Sequence, residues 1–217
     1  MDRIRQTEAT GRLIHGPDCI AEGADWLARA EPRFAAALER TGPLPLRLRG
    51  DGFPALFGAI VSQQVSVASA AAIWGRLEAA GLTEAPAVAA ATEEELRACG
   101  LSRQKMRYAR ALAAAGIDYA ALRAAPEEQV VATLTAVPGI GRWTAEIYAM
   151  FSLARADVFA PGDLALQEGT RLLFELPERP REGALRGMAE AWSPWRAVAA
   201  RLLWAYFHVE KGREGIR

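Results

Sequence analysis

Cysteine is almost missing from this chain: Cys19 and Cys99 are the only two in 217 residues. Two thiols cannot supply the four thiolates of an iron–sulfur cluster. In a cytoplasmic chain they are expected as reduced, buried small residues rather than as a disulfide. Histidine is as scarce. His15 and His208 lie in no motif and read as structural or surface groups, and no metal-ligating set is read from the sequence. No apolar run approaches the ~20 residues of a membrane span. The opening MDRIRQTEATGR has no apolar core of a secretory signal, so a cytoplasmic location is expected. Formal net charge is zero, and most nucleic-acid binders carry a basic excess. The objection is limited, because backbone N–H groups and helix ends bind phosphate without entering the net charge. A neutral chain should show modest non-specific affinity and a shallow salt slope.

What is present points to helices. Hydrophobic residues make up 51% of the chain, long enough to bury a core as one domain or two small lobes. Apolar spacing predicts helices over Asp18–Ala30, Phe34–Arg40 (Pro32 at its first position), Phe53–Ser62 and Val67–Ala80. Thr92-Glu93-Glu94-Glu95 starts another with an N-cap and an acidic first turn. Ser102–Ala115 reads as a basic amphipathic helix, with Arg103, Lys105, Arg107 and Arg110 opposite Met106, Ala109 and Leu112. Further helices follow over Asp118–Ala124, from Pro126, over Arg142–Leu153, from Asp163 to about Glu175, over Arg181–Ala191, and from Pro194 to about Glu210. Residues 1–16 read as a docked strand or arm, and Leu46–Arg49 as an extended segment. There are no convincing strands and no repeats. The fold class is all-α.

The stretch Leu134–Met150, LTAVPGIGRWTAEIYAM, sets a tight Pro/Gly turn between two of these helices. Glycines at 139 and 141 let the backbone turn sharply and approach a partner without a Cβ in the way. The next helix opens at the turn, so its unpaired N–H groups form an anion site suited to DNA phosphate. PGIGRWTA followed by DVFAPGD resembles the helix-hairpin-helix (HhH-GPD) DNA glycosylases. Within them the chain looks most like the alkylation-repair branch, the 3-methyladenine DNA glycosylase II family. The likeness extends over roughly Phe53 to Phe207.

The resemblance implies a set of site residues. Asp163, after Pro161-Gly162, inherits the catalytic position. As an isolated residue it reads as a helix N-cap, and the two readings are compatible, because helix N–H groups hold a carboxylate in place and favour its anionic form. Breaking a purine N-glycosidic bond builds positive charge on the deoxyribose, which a fixed anion stabilises. A methylated purine is already cationic and leaves without a general acid. Trp143 stands where bifunctional glycosylase-lyases carry the Schiff-base lysine, so the chain is expected to be monofunctional. Trp143 and Trp204 are expected to line the base pocket, with Ile147 and Leu164; each tryptophan also reads as ordinary packing. Ile147 and Leu164 depart from the family, where aromatics occur. Tyr148 cannot stand in for Ile147, since one helical step turns a side chain by about 100°. Trp192 and Trp195 resemble the family as framework, with Arg196 on an acidic partner.

For DNA binding the resemblance implies Gln63, Gln64, Gly139, Ile140, Gly141 and Thr144. Gln64 takes the position of the side chain that fills the gap left by a flipped nucleotide. Equally, both glutamines could satisfy backbone groups at a helix junction. No organic cofactor is implied, only a structural monovalent cation at the hairpin carbonyls. The expected partner is double-stranded DNA containing damaged bases, met by a monomer with no membrane association.

The expected organisation is a single unit over 1–217, in the compact form without an extra N-terminal β domain. A segment of about 1–50 would pack on the C-terminal lobe. A helical lobe would cover about 51–135, and a hairpin and catalytic lobe about 136–217, with the flipped base in the cleft between lobes and Asp163 at its floor. The expected activity is excision of alkylated purines in base excision repair. A non-catalytic helix-hairpin-helix module, or a glycosylase for another damaged base, stays open beside it.

Overall fold

The computed structural model describes residues 10–212, and among them the chain is all-α. In order the helices are α1 (Pro17–Ala30), α2 (Pro32–Thr41), α3 (Phe53–Ser62), α4 (Val67–Ala79), α5 (Ala85–Ala90), α6 (Glu93–Ala98) and α7 (Arg103–Ala114). There follow α8 (Tyr119–Ala124), α9 (Glu127–Thr135), α10 (Arg142–Phe151), α11 (Leu164–Leu173), α12 (Glu182–Ala189), a 3₁₀ turn (Glu190–Trp192) and α13 (Arg196–Lys211). Many starts are written locally. Ser66, Thr92, Ser102, Asp118 and Asp163 all cap the helix that follows them through their side-chain oxygens. Thr92 and Glu95 complete a reciprocal capping box.

Contacts divide the chain into two compact units, one of residues up to Leu48 with those from Ala149 onward, the other Arg49–Tyr148. In the first, α13 packs against α11, α2 and α1. The approach of α11 is close: a Cβ on Gly169 would stand 2.7 Å from the Leu203 carbonyl oxygen. Trp192 sits among Phe34, Phe159 and Phe174, with ring centroids 5.3–6.0 Å away. Residues 10–16 of the N-terminal arm dock through an antiparallel Leu13–Arg155 bridge and bury Ile14; residues 1–9 lie outside the described part. Arg196 pairs with Asp157 at 2.7 Å, the acidic partner its position suggested.

In the second unit α7 is central and packs against α3, α5 and α6. Here the sequence expectation for Lys105 fails. Positions 105, 109 and 112 are spaced i, i+4, i+7 and share the buried face of α7. Lys105 therefore lies with Ala109 and Leu112, not with Arg103 and Arg107. Helix α5 has no counterpart among the expected helices. The last helix starts two residues later than expected. The Trp195 N–H donates to the Trp192 carbonyl at 2.8 Å, closing a turn over the cis Ser193–Pro194 peptide, so Pro194 lies in that turn and Trp195 is the cap.

Candidate active site

Asp163 is 93% buried in effect, with 7% relative exposure. The turn before it closes from the Asp163 N–H to the Ala160 carbonyl at 3.0 Å. Gln167, one turn into α11, donates Nε2 to the Pro161 carbonyl at 2.7 Å and pins the Pro-Gly-Asp segment. Oδ1 of Asp163 accepts from the N–H groups of Ala165 at 2.9 Å and Leu166 at 3.0 Å. It accepts a further bond, at 3.1 Å, from the indole Nε1–H of Trp204. The carboxylate is thus both the N-cap of α11 and a group held from a second helix. A carboxylate fixed in this way can stabilise positive charge without reorganising as the charge develops.

Trp204 is buried, and its ring stacks on Phe151 with centroids 5.8 Å apart at 28°. Arg201, one turn earlier on α13, is also buried, its guanidinium carbon 4.7 Å from the centre of the Phe151 ring. It donates to the carbonyls of Ala197 (2.8 Å) and Leu46. Burial, with the like charge of Arg47, pushes its pKa down to about 10. Phe151 and Arg201 were not foreseen as part of this group. The only sequence signal was the i, i+3 spacing of Arg201 and Trp204, which puts them on one helix face. Leu164, the first residue of α11, is 62% exposed beside this buried set.

The hairpin between α9 and α10 is anchored from inside by buried Val137 and Ile140, whose turn closes from the Ile140 N–H to the Val137 carbonyl at 3.1 Å. Its two glycines differ. Gly139 has φ +94°, and a Cβ there would stand 2.4 Å from Cγ of Tyr108 on α7. The fold therefore requires it. A Cβ on Gly141 would meet nothing within 4 Å, so the chain leaves open the space in front of it. The N–H groups of Gly139 and Gly141 make no hydrogen bond among the described residues. Ile140 and Thr144 are buried, while Pro138 and Gly141 are exposed.

Gln63 donates Nε2 to the Gly139 carbonyl at 2.8 Å. The structure thereby brings one expected DNA-binding residue onto the hairpin, in the backbone-satisfying role. Gln64 differs: it is exposed, with φ +56°. On α10, Trp143 is 45% exposed and Ile147 is half-buried. Tyr148 is buried and accepts from the Gly52 N–H at 2.8 Å. So Asp163, Leu164 and Trp204 belong to one local group. Gln63, Gly139, Ile140 and Gly141 form another, with Trp143, Thr144 and Ile147 on the helix leaving it.

A buried capped carboxylate and a PGIG hairpin define a class, and residues 57–196 match the HhH-GPD superfamily of base excision DNA repair proteins. The chain belongs to that superfamily. It is 33% identical over 158 residues, 69% of each chain, to DNA-3-methyladenine glycosylase 1 of Schizosaccharomyces pombe. Among solved structures, a DNA-3-methyladenine glycosidase from Bacillus halodurans is 32% identical, with a TM-score of 0.76 over 89% of this chain and 90% of that one. The Schizosaccharomyces pombe 3-methyladenine DNA glycosylase solved with abasic DNA is 26% identical, with a TM-score of 0.72 over 88% and 97%. No helix of the described residues is long and apolar enough to cross a membrane.

Proposed function

We propose that this chain is a monofunctional DNA glycosylase that excises alkylated purines, of the 3-methyladenine and 7-methylguanine type, from double-stranded DNA. The observation that carries the reading is Asp163: a buried carboxylate held by two helix N–H groups and an indole, in a chain of this superfamily. The C1′–N bond breaks with its electron pair on the departing base, whose positive charge it neutralises. Asp163 stabilises the oxocarbenium-like sugar. Water adds at C1′, its oxygen forming the new bond and its proton passing by way of the carboxylate to solvent. Trp143 in place of a lysine provides no amine for a Schiff base, which leaves an abasic site with an intact backbone.

Trp143 and Leu164 are exposed, and each of them, like Ile147 and Trp204, is a proposed contact of the base. An electron-rich ring gains about 1–2 kcal/mol from a desolvated cationic base, a difference that favours alkylated over normal purines. The N–H groups of Gly139 and Gly141 would hold a phosphate, and Gln64 would fill the gap of the flipped nucleotide. A monovalent cation fits the hairpin chemically: the Val137 and Gly139 carbonyls each accept one hydrogen bond and keep a second lone pair for a hard ion. The reading makes the chain a cytoplasmic monomer.

The test is incubation with methylated duplex DNA and chromatography of released bases, with Asp163→Asn beside wild type. Release of 3-methyladenine or 7-methylguanine by wild type alone is expected. Release by both would make Asp163 only a cap. DNA binding without release would leave a non-catalytic hairpin module or a glycosylase for another lesion.

A further inference from the structure

We infer that Lys105 is a positioning residue for the Gln63–Gln64 turn, holding it in register with the phosphate-facing hairpin. The inference rests on the base-flipping function proposed above. Lys105 is buried on the apolar face of α7 and donates Nζ to the Val61 carbonyl at 2.6 Å. Val61 lies in the last turn of α3, where carbonyls have no intrahelical partner. A buried ammonium on a helix C-terminus meets both the lone pairs and the negative end of the helix dipole. The α3 chain then closes from the Gln63 N–H to the Ile60 carbonyl at 3.3 Å and runs directly into Gln64.

The same face of α7 holds the hairpin. Tyr108, three residues after Lys105, lies under Gly139 so closely that no Cβ fits between them. The Tyr108 hydroxyl is in turn held by Gln104 Nε2 at 2.7 Å. Gln63 completes the circuit through its bond to the Gly139 carbonyl. One rigid helix thus fixes the end of α3 through Lys105 and the hairpin through Tyr108, and Gln63 ties the two together. Between these fixed points stands Gln64 at φ +56°, a left-handed conformation costly for a residue with a Cβ. Such a conformation persists only where its surroundings over-determine it, and the circuit does so. A methionine would fill the space of Lys105 with no charge to desolvate. The lysine therefore contributes the anchor to Val61, which methionine lacks.

The experiment measures single-turnover base release from two duplexes, with the alkylated purine opposite its normal partner or opposite an abasic site. Opposite the abasic site there is no pair to break, so the turn matters less. Lys105→Met should release base roughly tenfold more slowly from the paired duplex and within about twofold of wild type from the other. Gln64→Ala should show the same selectivity. An equal loss on both duplexes, or no loss on either, overturns the inference and leaves Lys105 a packing residue. If thermal melting shows Lys105→Met to be unfolded, Gln63→Leu cuts the circuit at the hairpin and must reproduce the selective loss; a uniform effect overturns it. Wild type that releases base from neither duplex removes the functional reading itself. Release by wild type with Lys105→Met unchanged removes only the inference.

Discussion

The indole of Trp204 donates to Oδ1 of Asp163 at 3.1 Å, the same oxygen that caps α11. The last helix therefore sets the orientation of the candidate catalytic carboxylate. Trp204→Phe keeps a ring to stack on Phe151 and deletes the donor. Losing a hydrogen bond to a charged group costs about 1.5–3 kcal/mol. Single-turnover base release should fall by about ten- to a hundredfold, with DNA affinity little changed. A loss seen only in substrate binding would instead make Trp204 a stacking surface alone.

The two hairpin glycines should separate fold from function. Gly139→Ala drives a Cβ into Tyr108 at a positive φ and should destabilise the chain by about 2 kcal/mol or more. Gly141→Ala meets no atom of the chain and should leave stability within about 0.5 kcal/mol, yet weaken duplex binding. Denaturant melts and a filter or anisotropy binding assay read the two effects. Unaltered DNA affinity in Gly141→Ala would mean that no phosphate approaches there.

Gln64 holds strain that a glycine would relieve. At φ +56°, Gln64→Gly should stabilise the fold by about 0.5–1 kcal/mol after the entropy of the added glycine is counted. That corresponds to a rise of roughly 1–4 °C in Tm. Excision from paired duplex should fall in the same variant. A variant both less stable and fully active would show that Gln64 is an ordinary junction residue.

Burial lowers the pKa of Lys105 below the usual lysine range. Between that lowered value and about 10.5 the unfolded chain binds more protons than the folded one, so stability rises with pH across the window. Below that lowered value both states are protonated and the full cost of the buried charge is present. Urea melts of wild type against Lys105→Met should show the difference moving in favour of wild type as pH climbs toward 10.5. A difference that is flat with pH would place the ammonium in water.

Local rules reached far in this chain. Thr92 and Asp163 announce their helices, and Ser66, Ser102 and Asp118 cap theirs in the same way, because a capping oxygen acts on N–H groups two or three residues away. The hairpin was legible for the same reason, since Gly139 and Gly141 act on their own backbone. Asp163 read locally as a cap for the same reason, and its catalytic assignment came from the resemblance of DVFAPGD to the family.

Lys105 and the start of α13 mark where such reading stopped. Charge made Lys105 look solvent-facing, while its spacing with Ala109 and Leu112 put it inside, and only the carbonyl of Val61, 44 residues away, makes that burial tolerable. The partners of Asp163 divide in the same way. Ala165 and Leu166 follow from sequence. Trp204, 41 residues on, and the Phe151 and Arg201 behind it arrive only when α13 packs against α11. Sequence alone determined most of the helices and the hairpin, because each depends on neighbours along the chain. Tertiary structure decided which distant donor holds the carboxylate and which cation can be buried, because those depend on what packing brings into reach.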